Sequence, residues 1–233
     1  MKDQQDFSPY ITTELFNFLA ELKENNDKIW FAENKQRYES VVREPLLKFI
    51  TDFAAHLAKV SPHYQADPRK VGGSLFRIHR DIRFSPDKSP YKTHAGIQFR
   101  HESGKDVHAP GFYLHLEPRN VFIAMGVWKP DSETLGKIRD AIVTQPDRWQ
   151  QIFADEKFAA IFKLDGDRLK KAPRGYDPNH PLIEILKYKD ICVITSLNEK
   201  DACATDFIER LAEVFVVSKP FMEFLTTAIG LPW

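Results

Sequence analysis

IQFRHESGKDVHAPGFYLHLEPRNVFIAMGV, residues 97–127, is the stretch whose reading decides the fold. Its apolar residues fall at every second position: Ile97 and Phe99, then Phe112, Leu114 and Leu116, then Val121, Ile123, Met125 and Val127, with polar or small residues between them. Successive side chains of a strand point to opposite faces, so this alternation gives each segment one buried and one open face. The turn-forming runs Glu102-Ser103-Gly104-Lys105-Asp106 and Glu117-Pro118-Arg119-Asn120 separate the segments. Connections this short suit antiparallel neighbours, whereas a parallel pair needs a long crossover. The pattern predicts an antiparallel meander within a β-rich region from about Ser74 to Trp128.

On either side the period changes to that of a helix. Thr12 or Thr13 can cap a stripe of Leu15, Phe18, Leu19 and Leu22 that ends at Asn25 and Asn26. Asp27 can cap a second helix carrying Trp30, Phe31, Tyr38 and Val41, and Pro45 suits the first turn of a third. In that third segment Leu46, Ile50, Phe53, Leu57 and Val60 step by four and three, the spacing of one buried helical face, until Ser61-Pro62. After Pro130, Asp131 or Ser132 caps a helix with Leu135, Ile138 and Ile142 inward, ended by Pro146. Helical stretches follow around Trp149–Phe153 and Phe158–Phe162, then a Gly- and Pro-punctuated segment from Asp165 to Pro181. A short helix near Leu182–Leu186, a strand at Ile191–Thr195, a helix from Asn198 with Phe207, Leu211 and Val214 inward, and a last helix from Ser218-Lys219-Pro220 to Gly230 complete the chain. The expected class is α+β, a central antiparallel sheet flanked by N-terminal and C-terminal helices, in one domain over residues 1–233.

Bulk properties narrow the function classes. A chain of 233 residues with 42% hydrophobic and 28% charged residues, including eighteen phenylalanines, has the make-up of a soluble globular protein. Met1–Tyr10 has neither the basic start nor the apolar run of a secretory signal, and no eighteen-residue apolar stretch follows, so a cytoplasmic, non-membrane protein is expected. Cys192 and Cys203 suggest neither a disulfide framework nor a zinc site. The formal net charge of zero argues against a surface given over to nucleic acid. Charge is nonetheless segregated: Arg69–His94 holds seven Lys or Arg against two Asp, and Arg168–Lys189 holds six against two acidic residues.

The first basic window contains FRIHRDIRFSPDKSPYKTH, residues 76–94. Read as a strand over Phe76–Phe84, it places Phe76, Ile78, Ile82 and Phe84 on one face and Arg77, His79, Asp81 and Arg83 on the other, with Arg80 breaking the apolar side. Same-face residues two apart lie roughly 7 Å from each other, so Arg77, Asp81 and Arg83 can converge on a phosphate or carboxylate. Pro86 and Pro90 make Ser85–Pro90 a stiff loop carrying Asp87 and Lys88, with Tyr91 and Lys92 beside it. Asp81 and Asp87 are the candidate catalytic carboxylates, as acid, base or metal ligand, although so many nearby cations should lower their pKa values. The plainer reading is a network of structural salt bridges and solvated loop charges.

The pattern Phe76-Arg77-Ile78-x-Arg80-Asp81-x-Arg83-Phe84-Ser85-x-Asp87-Lys88-x-Pro90-Tyr91-Lys92 resembles the signature of a conserved-hypothetical family of bacteria and fungi, a domain of unknown function. Asn25-Asn26 with Trp30-Phe31 and Asn34-Lys35, and Lys171-Ala172-Pro173-Arg174-Gly175-Tyr176-Asp177 with His180-Pro181, are similar to its other segments. The resemblance covers nearly the whole chain and implies no activity, cofactor or catalytic residue. It does imply that both basic segments belong to one shared design.

Other patterns fail on context. His79-Arg80-Asp81 lacks the Asn that a kinase catalytic loop needs five residues after the Asp, where Pro86 stands. Gly72-Gly73 lacks the dinucleotide-binding frame. His94, His101, His108 and His115 recur every seven residues, an odd step that alternates faces in a strand, so no metal site is expected beyond an encounter of His101 with His108 across a hairpin. Two readings remain. In the first, Arg77, Arg80, Arg83, Lys88, Tyr91, Lys92, Lys171 and Arg174 bind an anionic small molecule such as a phosphorylated metabolite or nucleotide. In the second, the chain is a non-catalytic interaction protein whose charged cluster is structural or meets an acidic partner or nucleic acid, with Phe76, Phe84, Tyr91 and Tyr176 available for stacking.

Overall fold

A computed structural model describes residues 10–103 and 109–233. Among the described residues the meander forms as its alternation requires, with β2 at Ala95–His101, β3 at Gly111–Glu117 and β4 at Asn120–Val127. The register pairs Ile97 with Leu114 and Leu114 with Ile123, which places the apolar members of all three strands on one face. The short β1 at Tyr64–Gln65 extends one edge, and β6 at Ile191–Leu197 followed by β5 at Lys163–Asp165 extends the other. The order is β1-β2-β3-β4-β6-β5, with every neighbouring pair antiparallel.

Helices cover the apolar face. Thr12 begins α1 at Thr13–Glu24, and the Asp27 carboxylate caps α2 at Lys28–Tyr38 by accepting from the Ile29 and Trp30 amides. The expected break before Pro45 does not occur. A π-helical turn at Glu39–Arg43 carries α2 directly into α3 at Glu44–Val60, with Pro45 in its first turn. Behind β4 come α4 at Ser132–Thr144, α5 at Pro146–Ala154, α6 at Glu156–Ile161 and the short α7 at Ile183–Leu186. The helix expected from Asn198 is divided into α8 at Glu199–Ala202 and α9 at Phe207–Val217, and α10 at Lys219–Ala228 closes the chain. Phe53 meets Phe99 and Phe215, and Phe112 stacks on Phe215 at 4.5 Å, so α3 and α9 lock onto the meander through aromatic contacts. The buried residues from Ile11 to Leu225 form one continuous cluster. No helix among the described residues is long and apolar enough to cross a membrane.

The sheet's other face carries Gln98, Arg100, Tyr113, His115, Glu117 and Phe122, the alternate positions of the meander. The helical layer leaves this face to the chain between β1 and β2.

Candidate functional site

The segment read as a strand over Phe76–Phe84 is instead an irregular strap. Only its start follows the sheet: Leu75 bridges Ile97, and the Phe76 amide donates to the Gly96 carbonyl at 2.9 Å, on the edge of β2 away from β3. The strap then pairs with itself, His79 bridging Tyr91, with the Arg80 amide donating to the Pro90 carbonyl and the Lys92 amide to the Ile78 carbonyl. Beyond Arg80 the backbone has no ladder to join, and side chains close the loop in its place. Phe84, expected on an apolar face, is 93% exposed, whereas Ile78 is buried.

The charges of that loop largely satisfy one another. Arg80 pairs with Asp87 and reaches Ser85 and the Ser89 carbonyl. Arg83 makes a forked pair with Asp81 at 2.9 and 2.6 Å, and the Lys88 ammonium donates to the Ile82 carbonyl at 3.0 Å. Hydrogen bonds from Arg83 hold the Asp81 carboxyl at about 2, and those from the Ser89 hydroxyl and amide, then Arg80, hold Asp87 at about 2. Both are therefore fully ionised near neutrality and poor proton acceptors, which fits them for holding arginines rather than for acid–base work. Tyr91 is an anchor: 6% exposed, its ring stacks on Phe31 at 4.0 Å, and its amide and carbonyl are both held by the Asn26 side chain at 3.0 Å.

Three cations remain. Lys92 is half-buried with its ammonium 5.2 Å from the centre of the Phe76 ring, and the Arg100 guanidinium lies 5.7 Å from the same ring. Burial, then the Arg77 charge, lowers the Lys92 ammonium below its ordinary range. Among the described residues no carboxylate lies within ion-pairing distance of Arg77, Lys92 or Arg100; Arg100 donates only to the Gln98 side chain, at 3.0 Å.

Beside the Phe76 ring begins a hydrogen-bonded chain that the sequence reading did not nominate. Tyr113, His115 and Glu117 occupy alternate positions of β3 and so share the open face. The Tyr113 hydroxyl lies 2.9 Å from His115 Nδ1, and His115 Nε2 lies 3.3 Å from Glu117 Oε2. Asn120 and Thr93 also donate to the Glu117 carboxylate, at 2.9 and 3.4 Å. Gly96, paired directly opposite His115, makes room for this arrangement: a Cβ there would lie 2.7 Å from the Tyr113 hydroxyl oxygen and 3.2 Å from Phe76. His115, 8% exposed, is sandwiched between Phe122 and His94, each ring centre 4.5 Å away. Burial lowers His94 to about 4, with His115 and Lys92 adding to the effect, and burial lowers His115 against the pull of Glu117. Burial raises the Tyr113 phenol to about 12. Burial would raise the Glu117 carboxyl, but hydrogen bonds from Asn120 and His115 outweigh it and hold the group below its ordinary value.

The signal for this row was the alternation itself. The residues opposite Phe112, Leu114 and Leu116 are Tyr113, His115 and Glu117, an ionisable series where an open face needs only generic polarity.

Lys171 and Arg174 are exposed and lie apart from this site. They follow β5 on the far edge of the sheet, where Arg168 bridges Tyr188 and Tyr176 donates to Asp140 of α4 at 2.8 Å. Among the described residues no hydrogen bond, ion pair or ring contact joins the two basic segments, so the expected convergence is replaced by placement on opposite edges. His101 is a core histidine: the Ser103 amide donates to its Nδ1 and its Nε2 lies 2.9 Å from the Pro232 carbonyl, while its expected companion His108 lies outside the described residues. Among the described residues no three His, Cys, Asp or Glu side chains are grouped to hold a metal ion.

A family model described as conserved hypothetical protein (DUF2461) matches residues 14–224, a span that includes the strap, the meander and the second basic segment. No curated protein matches the chain.

Proposed function

We propose, from the premise that the chain belongs to the conserved hypothetical family DUF2461, that it binds a small anionic molecule on the open face of its sheet. The ligands are Lys92, Arg100 and Arg77, around Phe76. One observation carries the reading: Lys92 is half-buried next to another cation with no carboxylate among the described residues to neutralise it. Holding like charges together in a partly desolvated place is unfavourable, and an anion between them removes that cost. Arg80 and Arg83, already paired with Asp87 and Asp81, instead hold the neighbouring loop together. Tyr91 anchors the same loop on Phe31 and Asn26.

Thermal-shift measurements with inorganic phosphate, pyrophosphate and nucleoside monophosphates test this. At least one should raise the melting temperature in a saturable way, and Lys92→Gln or Arg100→Gln should remove the shift while Arg83→Gln keeps it. A folded protein that none of these anions stabilises would overturn the reading.

One observation favours a second reading, in which the loop meets a macromolecule. Phe84 stands almost fully exposed with the Arg83 guanidinium 5.8 Å from its ring centre, a pairing suited to stacking on a base. Binding to a fluorescent single-stranded oligonucleotide that weakens steeply with salt and is lost in Phe84→Ala would support it; no binding at low salt would exclude it.

A further inference from the structure

The Tyr113–His115–Glu117 chain fixes which way its protons point, and this determines what a ligand must offer. Glu117 is ionised and can only accept, so the proton of neutral His115 lies on Nε2, facing Oε2 at 3.3 Å. His115 Nδ1 is then a bare acceptor, and the Tyr113 hydroxyl, 2.9 Å away, must donate its single proton to it. The phenol oxygen has lone pairs left and no proton to give. Tyr113 is partly exposed, and its ring centre lies 6.0 Å from that of Phe76, over which Lys92 and Arg100 sit.

From this geometry we infer that the site takes a small anion bearing a hydroxyl group close to its charged end, the anion facing Lys92 and Arg100 and the hydroxyl donating to the Tyr113 oxygen. His115 and Glu117 act through Tyr113 and are positioning residues. The inference rests on the anion-binding reading and specifies the ligand for that same place.

The orientation is reversible. When His115 takes up a proton, Nδ1 becomes a donor, the phenol must accept from it, and the phenol proton turns outward. The site then offers a donor where it offered an acceptor, which a ligand hydroxyl meets by accepting instead of donating. The charged and titratable groups facing His115 are Glu117 and Tyr113 on its own strand and His94 from the strap, which Lys92 and Arg80 in turn act on, while Phe122 stacks on it from β4. Burial lowers His115, so the change falls on the acid side of the ordinary histidine range.

Isothermal titration with glycerol 2-phosphate and isopropyl phosphate, which share charge and carbon skeleton and differ in hydroxyl groups, tests the inference. At neutral pH the hydroxylated phosphate should bind tighter by several-fold, up to about ten-fold. Tyr113→Phe should bring the two affinities together without abolishing either. A role in folding alone would give no hydroxyl selectivity for Tyr113→Phe to remove. Nitrogen shifts of the His115 imidazole give a second test that needs no ligand: an unprotonated Nδ1 is expected at neutral pH, and a protonated Nδ1 would overturn the inference. Equal affinities that Tyr113→Phe leaves unchanged would also overturn it while leaving the anion site intact. Failure of both phosphates to bind would instead sink the anion site.

Discussion

At the scale of single residues, Gly96 and His94 carry the clearest consequences. A methyl group at Gly96 would meet the Tyr113 hydroxyl oxygen at 2.7 Å, so Gly96→Ala should push the phenol off His115 at a cost of about 1–3 kcal/mol. Urea denaturation checks the stability, and loss of the Tyr113–His115 hydrogen bond by NMR checks the cause. His94 titrates at about 4 in the folded chain, against about 6.5 in an unfolded one. The unfolded state then binds more protons between those values, so stability present above about pH 6.5 is lost as the pH falls towards 4. His115 acts in the same direction. With allowance for partial exposure the His94 contribution is about 1–2 kcal/mol, and His94→Gln should flatten the decline measured by urea midpoints from pH 7 to 4.5. An unchanged slope would contradict the assignment. The lowered pKa values of Asp81 and Asp87 were legible in the sequence because like reasoning applies to any carboxylate among arginines. Their partners were not legible, since a charged window does not say which of its own charges meet.

Among elements, the strap shows where periodicity stops being informative. Phe76–Phe84 alternates like a strand, but a strand needs an edge, and of its residues Phe76 alone, following Ser74 and Leu75, finds one on β2. Its fixing point lies 65 residues away in the chain, in Asn26, whose side-chain amide replaces a ladder partner for both backbone groups of Tyr91. Asn26→Ala leaves those two half-buried groups unpaired and should cost about 1–3 kcal/mol, with faster amide exchange at Arg80 and Lys92. Asp27→Ala, which removes only the α2 cap, should cost about 1 kcal/mol and leave strap exchange unchanged. The meander and the caps at Asp27 and Asp131 were readable because they depend on neighbours in sequence. The division between α8 and α9 was not. No Gly or Pro marks it, and α8 is tied instead to the β3–β4 turn through the Arg119 amide and Glu199.

For the molecule as a whole, the two basic windows mark different places. One borders the open face at the β1–β2 edge, and the other borders β5 on the opposite side, so segregation of charge in the chain does not become a single positive patch. The core does join the two halves, since the buried cluster runs without interruption from α1 to α10. We infer that the chain unfolds as one unit, and calorimetry should show a single transition with equal calorimetric and van't Hoff enthalpies. Two separable transitions would contradict this. The central claim concerns where an anion goes, and the most direct measurement is a crystal structure with selenate, located by its anomalous scattering. The account predicts a peak on the open face of the sheet, within hydrogen-bonding reach of Lys92 and Arg100 and beside Phe76. A peak at Arg80 and Arg83, a peak at Lys171 and Arg174, or an empty open face at saturating selenate would contradict it.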